Sequence, residues 1–254
     1  FGMLGCNFYC AFCQNWLSSQ SIRDGASSLR YSSCRAEQIV ELALAQKAPV
    51  VVSTYNEPLI TADWAARVFE LAAAQGLLCG FVSNGHATRE VLEFLRPVMR
   101  LYKVDLKCFD EKHYREMGGS LRVVLRTLEL LRELDYWVEV VTLVIPGFND
   151  GQDELNSIAR FLAGLSPDVP WHVTAFHPDY QMMDVPRTSV DDLRRAYEAG
   201  KEAGLNYVYA GNLPGQVGSS ENTCCPNCEK ALIVRRGFFV TENRIAGGAC
   251  PECG

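Results

Sequence analysis

The residues best suited to chemistry stand near the front of the chain. Cys6, Cys10 and Cys13 are spaced C-x3-C-x2-C in the stretch Gly5-Cys6-Asn7-Phe8-Tyr9-Cys10-Ala11-Phe12-Cys13. Iron–sulfur cubes usually take one cysteine thiolate per iron, so a three-cysteine loop suits a [4Fe–4S] cluster with one iron left for another ligand. Structural zinc asks for four ligands, and this loop holds neither a histidine nor a fourth cysteine. Four further cysteines stand at the other end as paired knuckles, Cys225-Pro226-Asn227-Cys228 and Cys250-Pro251-Glu252-Cys253, with 21 residues between them. Two C-x2-C turns at that spacing predict a tetrahedral zinc ribbon; the same thiolates would also accept an auxiliary iron–sulfur cluster.

Composition bounds what surrounds these groups. A chain of 254 residues, 48% hydrophobic, can bury a large core and allows one α/β barrel or two small domains. The net charge of −6 and the absence of a Lys/Arg run argue against nucleic acid. The basic residues of the tail, Lys230, Arg235, Arg236 and Arg244, alternate with Glu229, Glu242 and Glu252 and form no basic patch. No tract of about 18 apolar residues is present and no signal-peptide pattern opens the chain, so a cytoplasmic location away from membranes is expected. The total of 11 cysteines is odd, with seven in two metal-type groups, which favours reduced thiols over disulfides. The chain opens at Phe1 in what reads as the end of a strand, so a segment ahead of it is expected.

The stretch between the two cysteine groups must position them. Apolar periodicity predicts helices over 36–45, 64–75, 88–95, 121–134, 154–162 and 190–203. Short apolar runs, of which Val50-Val51-Val52-Ser53-Thr54 is the type, predict strands over 50–54, 77–83, 100–107, 137–145 and 171–176. Repeated βα units imply a parallel sheet with helices outside, here a partial (β/α)6 TIM-like barrel; a doubly wound sheet is the competing α/β architecture. Both place ligands at the strand C-termini. Polar or turn residues do follow the strands: Asn56 and Glu57, Ser83-Asn84-Gly85, Asp105 and Lys107, Pro146-Gly147, and His177. Asp105 and Lys107 stand two apart on a strand and so share a face. The predicted domain plan is a core over 1–211, a Gly- and Ser-rich linker over 212–223, and a four-cysteine zinc-ribbon-like module over 224–254. That module is too small for an apolar core of its own, so its metal would supply the folding energy.

The cysteine loop, with Phe12 before its last cysteine, resembles that of the radical S-adenosylmethionine (SAM) superfamily. Thr54-Tyr55-Asn56-Glu57-Pro58, Val82-Ser83-Asn84-Gly85, Val104-Asp105-Leu106-Lys107 and the tail resemble the AmmeMemoRadiSam system radical SAM enzymes, which are similar to pyruvate formate-lyase activating enzymes. The resemblance implies a [4Fe–4S] cluster on Cys6, Cys10 and Cys13 whose open iron chelates the SAM amino and carboxylate groups. Reductive cleavage of the S–C5′ bond would then give a 5′-deoxyadenosyl radical that abstracts hydrogen from a substrate. It further implies SAM contacts from Phe12, Asn56, Glu57 (to the ammonium), Ser83, Asn84, Asp105, Lys107 (to the carboxylate) and His177. Activating enzymes carry two glycines where this chain has Tyr55-Asn56, and an aspartate where it has Val82. Implied partners are an electron donor such as flavodoxin or ferredoxin and a protein or peptide substrate. Two alternatives stay open: a radical SAM methyltransferase or other peptide-modifying enzyme, and a metal-binding adaptor without catalysis.

Overall fold

Short β-branched runs, each followed by an amphipathic helix, build the sheet. In the computed structural model, which describes residues 1–27 and 29–254, six strands lie in chain order in one sheet. They are β1 (Val50–Ser53), β2 (Leu78–Ser83), β3 (Leu101–Asp105), β4 (Trp137–Val144), β5 (Trp171–Ala175) and β6 (Val208–Gly211). Neighbours β1–β2, β2–β3, β4–β5 and β5–β6 pair in parallel. This order belongs to a partial β/α barrel; a doubly wound sheet would reverse its order at a switch point.

The chain divides into two compact units. The first comprises Phe1–Leu106, Asp110–Val138 and Asp179–Met183. Its helices are α1 (Trp16–Ser19), α2 (Ala36–Ala45), α3 (Ala62–Ala73), α4 (Arg89–Leu95), α5 (Glu111–Glu116) and α6 (Leu121–Glu133). Leu121, Val124, Leu128 and Leu131 form the buried stripe of α6, while Arg122, Arg126 and Glu133 face outward at the helical period. Inward side chains of α3, β2 and β3 and the residue before β4 meet in a tilted to edge-on aromatic series, Phe69–Phe81–Tyr102–Tyr136, with ring centroids 5.6, 5.9 and 6.1 Å apart.

The second unit comprises Lys107–Phe109, Glu139–Pro178 and Asp184–Gly254. It holds α7 (Gln152–Leu165), α8 (Val190–Glu202) and a second, antiparallel sheet of β7 (Thr223–Cys224), β8 (Ala231–Arg236) and β9 (Phe239–Asn243). Ser189 starts α8 with a reciprocal cap to Asp192. Gly200 is required within α8: a Cβ there would come within 2.8 Å of Val208 and 3.0 Å of Trp171. Residues 212–223 are held rather than extended. Asn212 Nδ2 donates to Ala175 O at 3.1 Å, Tyr209 Oη lies 3.1 Å from Thr223 Oγ1, and the buried Glu221 carboxylate accepts from Gly215 N and Gly237 N. Among the described residues no helix is long and apolar enough to cross a membrane.

Three elements differ from expectation. The strand end read at Phe1 is a single pairing: Phe1 N donates to Val52 O at 2.8 Å and Thr54 N to Phe1 O at 2.9 Å, without a regular strand. The sixth strand is instead Val208–Gly211, too short to show a period in sequence. Residues 111–116, where no helix is predicted, form α5 because Asp110 caps the N–H of His113.

Candidate functional site

The cysteine loop is pinned by backbone from distant parts of the first unit. Gly5 N donates to Ser18 O at 3.0 Å, Tyr9 N to Met117 O at 2.8 Å and Gln181 N to Ala11 O at 3.0 Å. Gly118 and Gly119 are needed there, since a Cβ on Gly119 would sit 2.3 Å from the buried Phe8 ring. All three thiols are free of disulfides. Phe8 N donates to Cys6 Sγ at 3.3 Å, Ser19 Oγ lies 3.0 Å from Cys13 Sγ, and Met117 Sδ stands 3.7 Å from Cys10 Sγ. Hydrogen bonds to cysteine sulfur stabilise the thiolate form that iron requires, so this donor set fits a [4Fe–4S] cluster. The turn beyond α1 secures the loop's carbonyls. Gln20 Nε2 and Arg23 Nη1 donate to Phe8 O at 3.1 and 3.2 Å, and Arg23 Nη2 to Cys6 O.

Two strand-end loops join this network. Glu57, buried after β1, accepts from Leu59 N at 3.1 Å, Ser83 Oγ at 2.7 Å and Asn84 N at 2.7 Å. Burial pushes its carboxyl up to about 7, against the pull of those donors, and the charge of Asp105 adds to the rise. Asn84 Nδ2 donates to Asn7 Oδ1 at 2.7 Å, and Met3 N to Asn56 Oδ1 at 3.0 Å, so both loops are tied to the cysteine loop. Gly85, at φ +72°, has Val104 Cγ1 2.7 Å from where a Cβ would stand, which explains the Asn-Gly turn. Tyr55 takes the left-handed φ of +73° that glycine favours, and the residue is 60% exposed.

The first unit thus brings Cys6, Cys10, Cys13, Phe12, Asn56, Glu57, Ser83, Asn84 and Asp105 into one compact body. Lys107 and His177 lie in the second unit. Lys107 O accepts from the buried Asn149, whose Nδ2 also donates to Leu143 O and whose Oδ1 accepts from Ile145 N, at 2.7, 2.8 and 2.7 Å. His177 is exposed, two residues past β5. Sequence reading passed over Asn7, Ser19, Gln20, Arg23, Met117 and Asn149. Asn7 stands inside the motif and Ser19, Gln20 and Arg23 follow it closely, but polar residues in or after a turn carry no signal of their own, and Met117 and Asn149 stand far along the chain.

Residues 2–162 match the Radical SAM superfamily. The chain belongs to the radical SAM superfamily. Uncharacterized protein MJ0808 of Methanocaldococcus jannaschii is 38% identical over 254 residues, spanning 98% of this chain and 74% of that protein. The benzylsuccinate synthase activating enzyme of Thauera aromatica is 28% identical over 109 residues, 42% of this chain and 33% of that one. In fold, a domain of the pyruvate-formate lyase-activating enzyme from Bacteroides vulgatus is similar with a TM-score of 0.56 at 19% identity, covering 64% of this chain and 98% of that domain.

This radical SAM chain carries a second cysteine site in its tail. The sulfurs of Cys225, Cys228, Cys250 and Cys253 all lie within 4.8 Å of one another, with Cys225–Cys253 at 3.5 Å and Cys228–Cys250 at 3.7 Å. Backbone N–H groups of Cys228 and Asn227 hold the Cys225 thiol down at about 6, whereas the neighbouring sulfurs, Cys225 first, push Cys253 up to about 12. A tetrahedron with metal–sulfur bonds of about 2.3 Å has edges of about 3.8 Å, so the four thiols match one metal ion. A four-iron cube spreads its ligands over separate irons and needs them farther apart. Among the described residues the module's cluster is Cys225, Leu232 and Cys250 with Ile233 partly buried against it, too little apolar cover to order the module without metal.

Proposed function

We propose that this radical SAM enzyme abstracts hydrogen from a protein or peptide substrate, as glycyl-radical activating enzymes do. The observation that carries the reading is the cysteine loop: three thiols in no disulfide, with an N–H and a hydroxyl at two of their sulfurs, tied by Asn7 and Met3 to the loops after β1 and β2. When bound, the cluster and SAM supply reductive S–C5′ cleavage and a carbon radical able to take a hydrogen atom. The chain's own residues would orient the cofactor. Glu57 uses three of a carboxylate's roughly four acceptor positions internally, leaving one for the SAM ammonium. Asn56, Ser83, Asn84, Phe12 and Asp105 of the first unit would add further SAM contacts, and Lys107 and His177 would make those that the family resemblance implies. Tyr9, Ile22, Tyr55 and Ile60 are large exposed side chains on or beside this loop, and Ile22 and Ile60 flank Gly5; such a surface suits a macromolecular substrate.

The matching relative named as an activating enzyme supports this choice over methyl transfer. We further propose that a flavodoxin- or ferredoxin-type carrier supplies the electron in the cytoplasm. In this plan residues 1–211 form the core, and 224–254 form a module holding one zinc ion, joined by 212–223. The test is anaerobic reconstitution with iron and sulfide, then dithionite and SAM. 5′-Deoxyadenosine above the no-enzyme background is expected; none, from protein with an intact cluster, defeats the proposal. Elemental analysis should find one zinc retained, and iron with labile sulfide in the tail would overturn that assignment.

A further inference from the structure

Resting on the proposed cluster, we infer that Ser19 is a positioning residue that sets how easily the cluster is reduced. Ser19 is the last residue of α1 and 3% exposed, its backbone fixed by a bond from its N–H to Asn15 O at 2.9 Å. Its hydroxyl lies 3.0 Å from Cys13 Sγ, a contact in which either atom could donate between free side chains. An iron-bound Cys13 is a thiolate without a proton, so in the loaded protein the hydrogen in this contact belongs to Ser19.

Gln20 aims that hydrogen. Its Nε2 donates to Ser19 Oγ at 3.4 Å and to Phe8 O at 3.1 Å, while its Oε1 accepts from Arg23 Nη1 at 3.3 Å. A flipped amide would set oxygen against Phe8 O and nitrogen against the guanidinium, so both ends fix its orientation. The Ser19 oxygen is thereby engaged as an acceptor, and among the described residues its hydrogen has no acceptor other than the Cys13 sulfur. Reduction adds negative charge that spreads onto the ligand sulfurs, and a hydrogen bond to such a sulfur stabilises the reduced form. The backbone bond to Cys6 cannot be removed by mutation; the one to Cys13 can.

The test is a redox titration of the reconstituted cluster, followed by electron paramagnetic resonance without SAM, on wild type, Ser19→Ala and Ser19→Thr. Ser19→Ala is expected to hold the same iron and sulfide but to shift the one-electron equilibrium roughly three- to tenfold toward the oxidised form. That corresponds to a potential lower by ~30 to ~59 mV. Ser19→Thr, which keeps the hydroxyl, should titrate with wild type. An unchanged potential in fully loaded Ser19→Ala overturns the inference. Should Ser19→Ala hold no cluster, Gln20→Leu keeps the hydroxyl but releases its aim; a smaller shift in the same direction supports the role, and no shift overturns it. A wild-type protein that binds no cluster at all would instead sink the proposed function.

Discussion

The two cysteine sites of this chain solve opposite problems. The tail's four sulfurs close on one another, the nearest pairs 3.5 and 3.7 Å apart, and the pKa shifts there come from the knuckles' own backbone and sulfurs. The front loop offers three sulfurs, and what holds it comes from Ser18, Ser19, Met117 and Gln181, the last bonded to Ala11 from 170 residues away in sequence. A site that satisfies its metal locally can be a staple, because nothing beyond it needs to move or bind. A site with too few ligands of its own must be held open by the fold around it, which is the condition for binding a reactant.

The sharpest way to break this contrast is to remove one sulfur from each site. Cys13→Ala should lose its iron and form no 5′-deoxyadenosine above background, whereas Cys250→Ala should lose zinc and become protease-sensitive within 224–254 while keeping the front iron. Loss of that iron in Cys250→Ala, measured by elemental analysis, would show that the tail is no independent staple. A smaller effect probes the strand-end loops that follow β3 and β4. Asn149→Ala strips three hydrogen bonds of a buried amide and should cost about 3 kcal/mol in urea unfolding. A cost near zero would mean that these loops hold without the amide.

The buried Glu57 makes the front site pH-dependent. Its folded pKa, about 7, lies above the ordinary 4.5, so the folded state binds the proton more tightly. The stability it contributes is therefore full below the ordinary value and is lost as pH rises through 7. Cluster-free protein should lose about 2 kcal/mol from this group between about pH 5.5 and 8. Glu57→Ala should flatten that slope, and equal slopes in both proteins would refute the assignment. Smallest is Tyr55→Gly, which relieves the left-handed backbone and should add up to about 1 kcal/mol to thermal stability. A net loss would show that the ring's packing against Gly2 outweighs the strain.

Much of this was legible because it is local. C-x3-C-x2-C and the two C-x2-C knuckles write their candidate ligands within a few residues of one another, and helices such as Ala36–Ala45 carry their period in full. The strand-end rule likewise located Glu57, Ser83 and Asn84, which the structure links in one network. Val208–Gly211 escaped because four residues give no period, and α5 because its six residues rest on a single cap.

The sequence by itself determined which atoms are available to metals, and that the chain alternates strands with helices. Only the tertiary structure decided that Glu57 answers to Ser83 and Asn84, that Met117 stands against Cys10, and that Ser19 faces Cys13 with the Gln20 amide against its oxygen. The physical reason is reach. A ligand motif is written within one turn of chain, whereas the burial and hydrogen bonds that tune it come from segments that chain folding alone brings together.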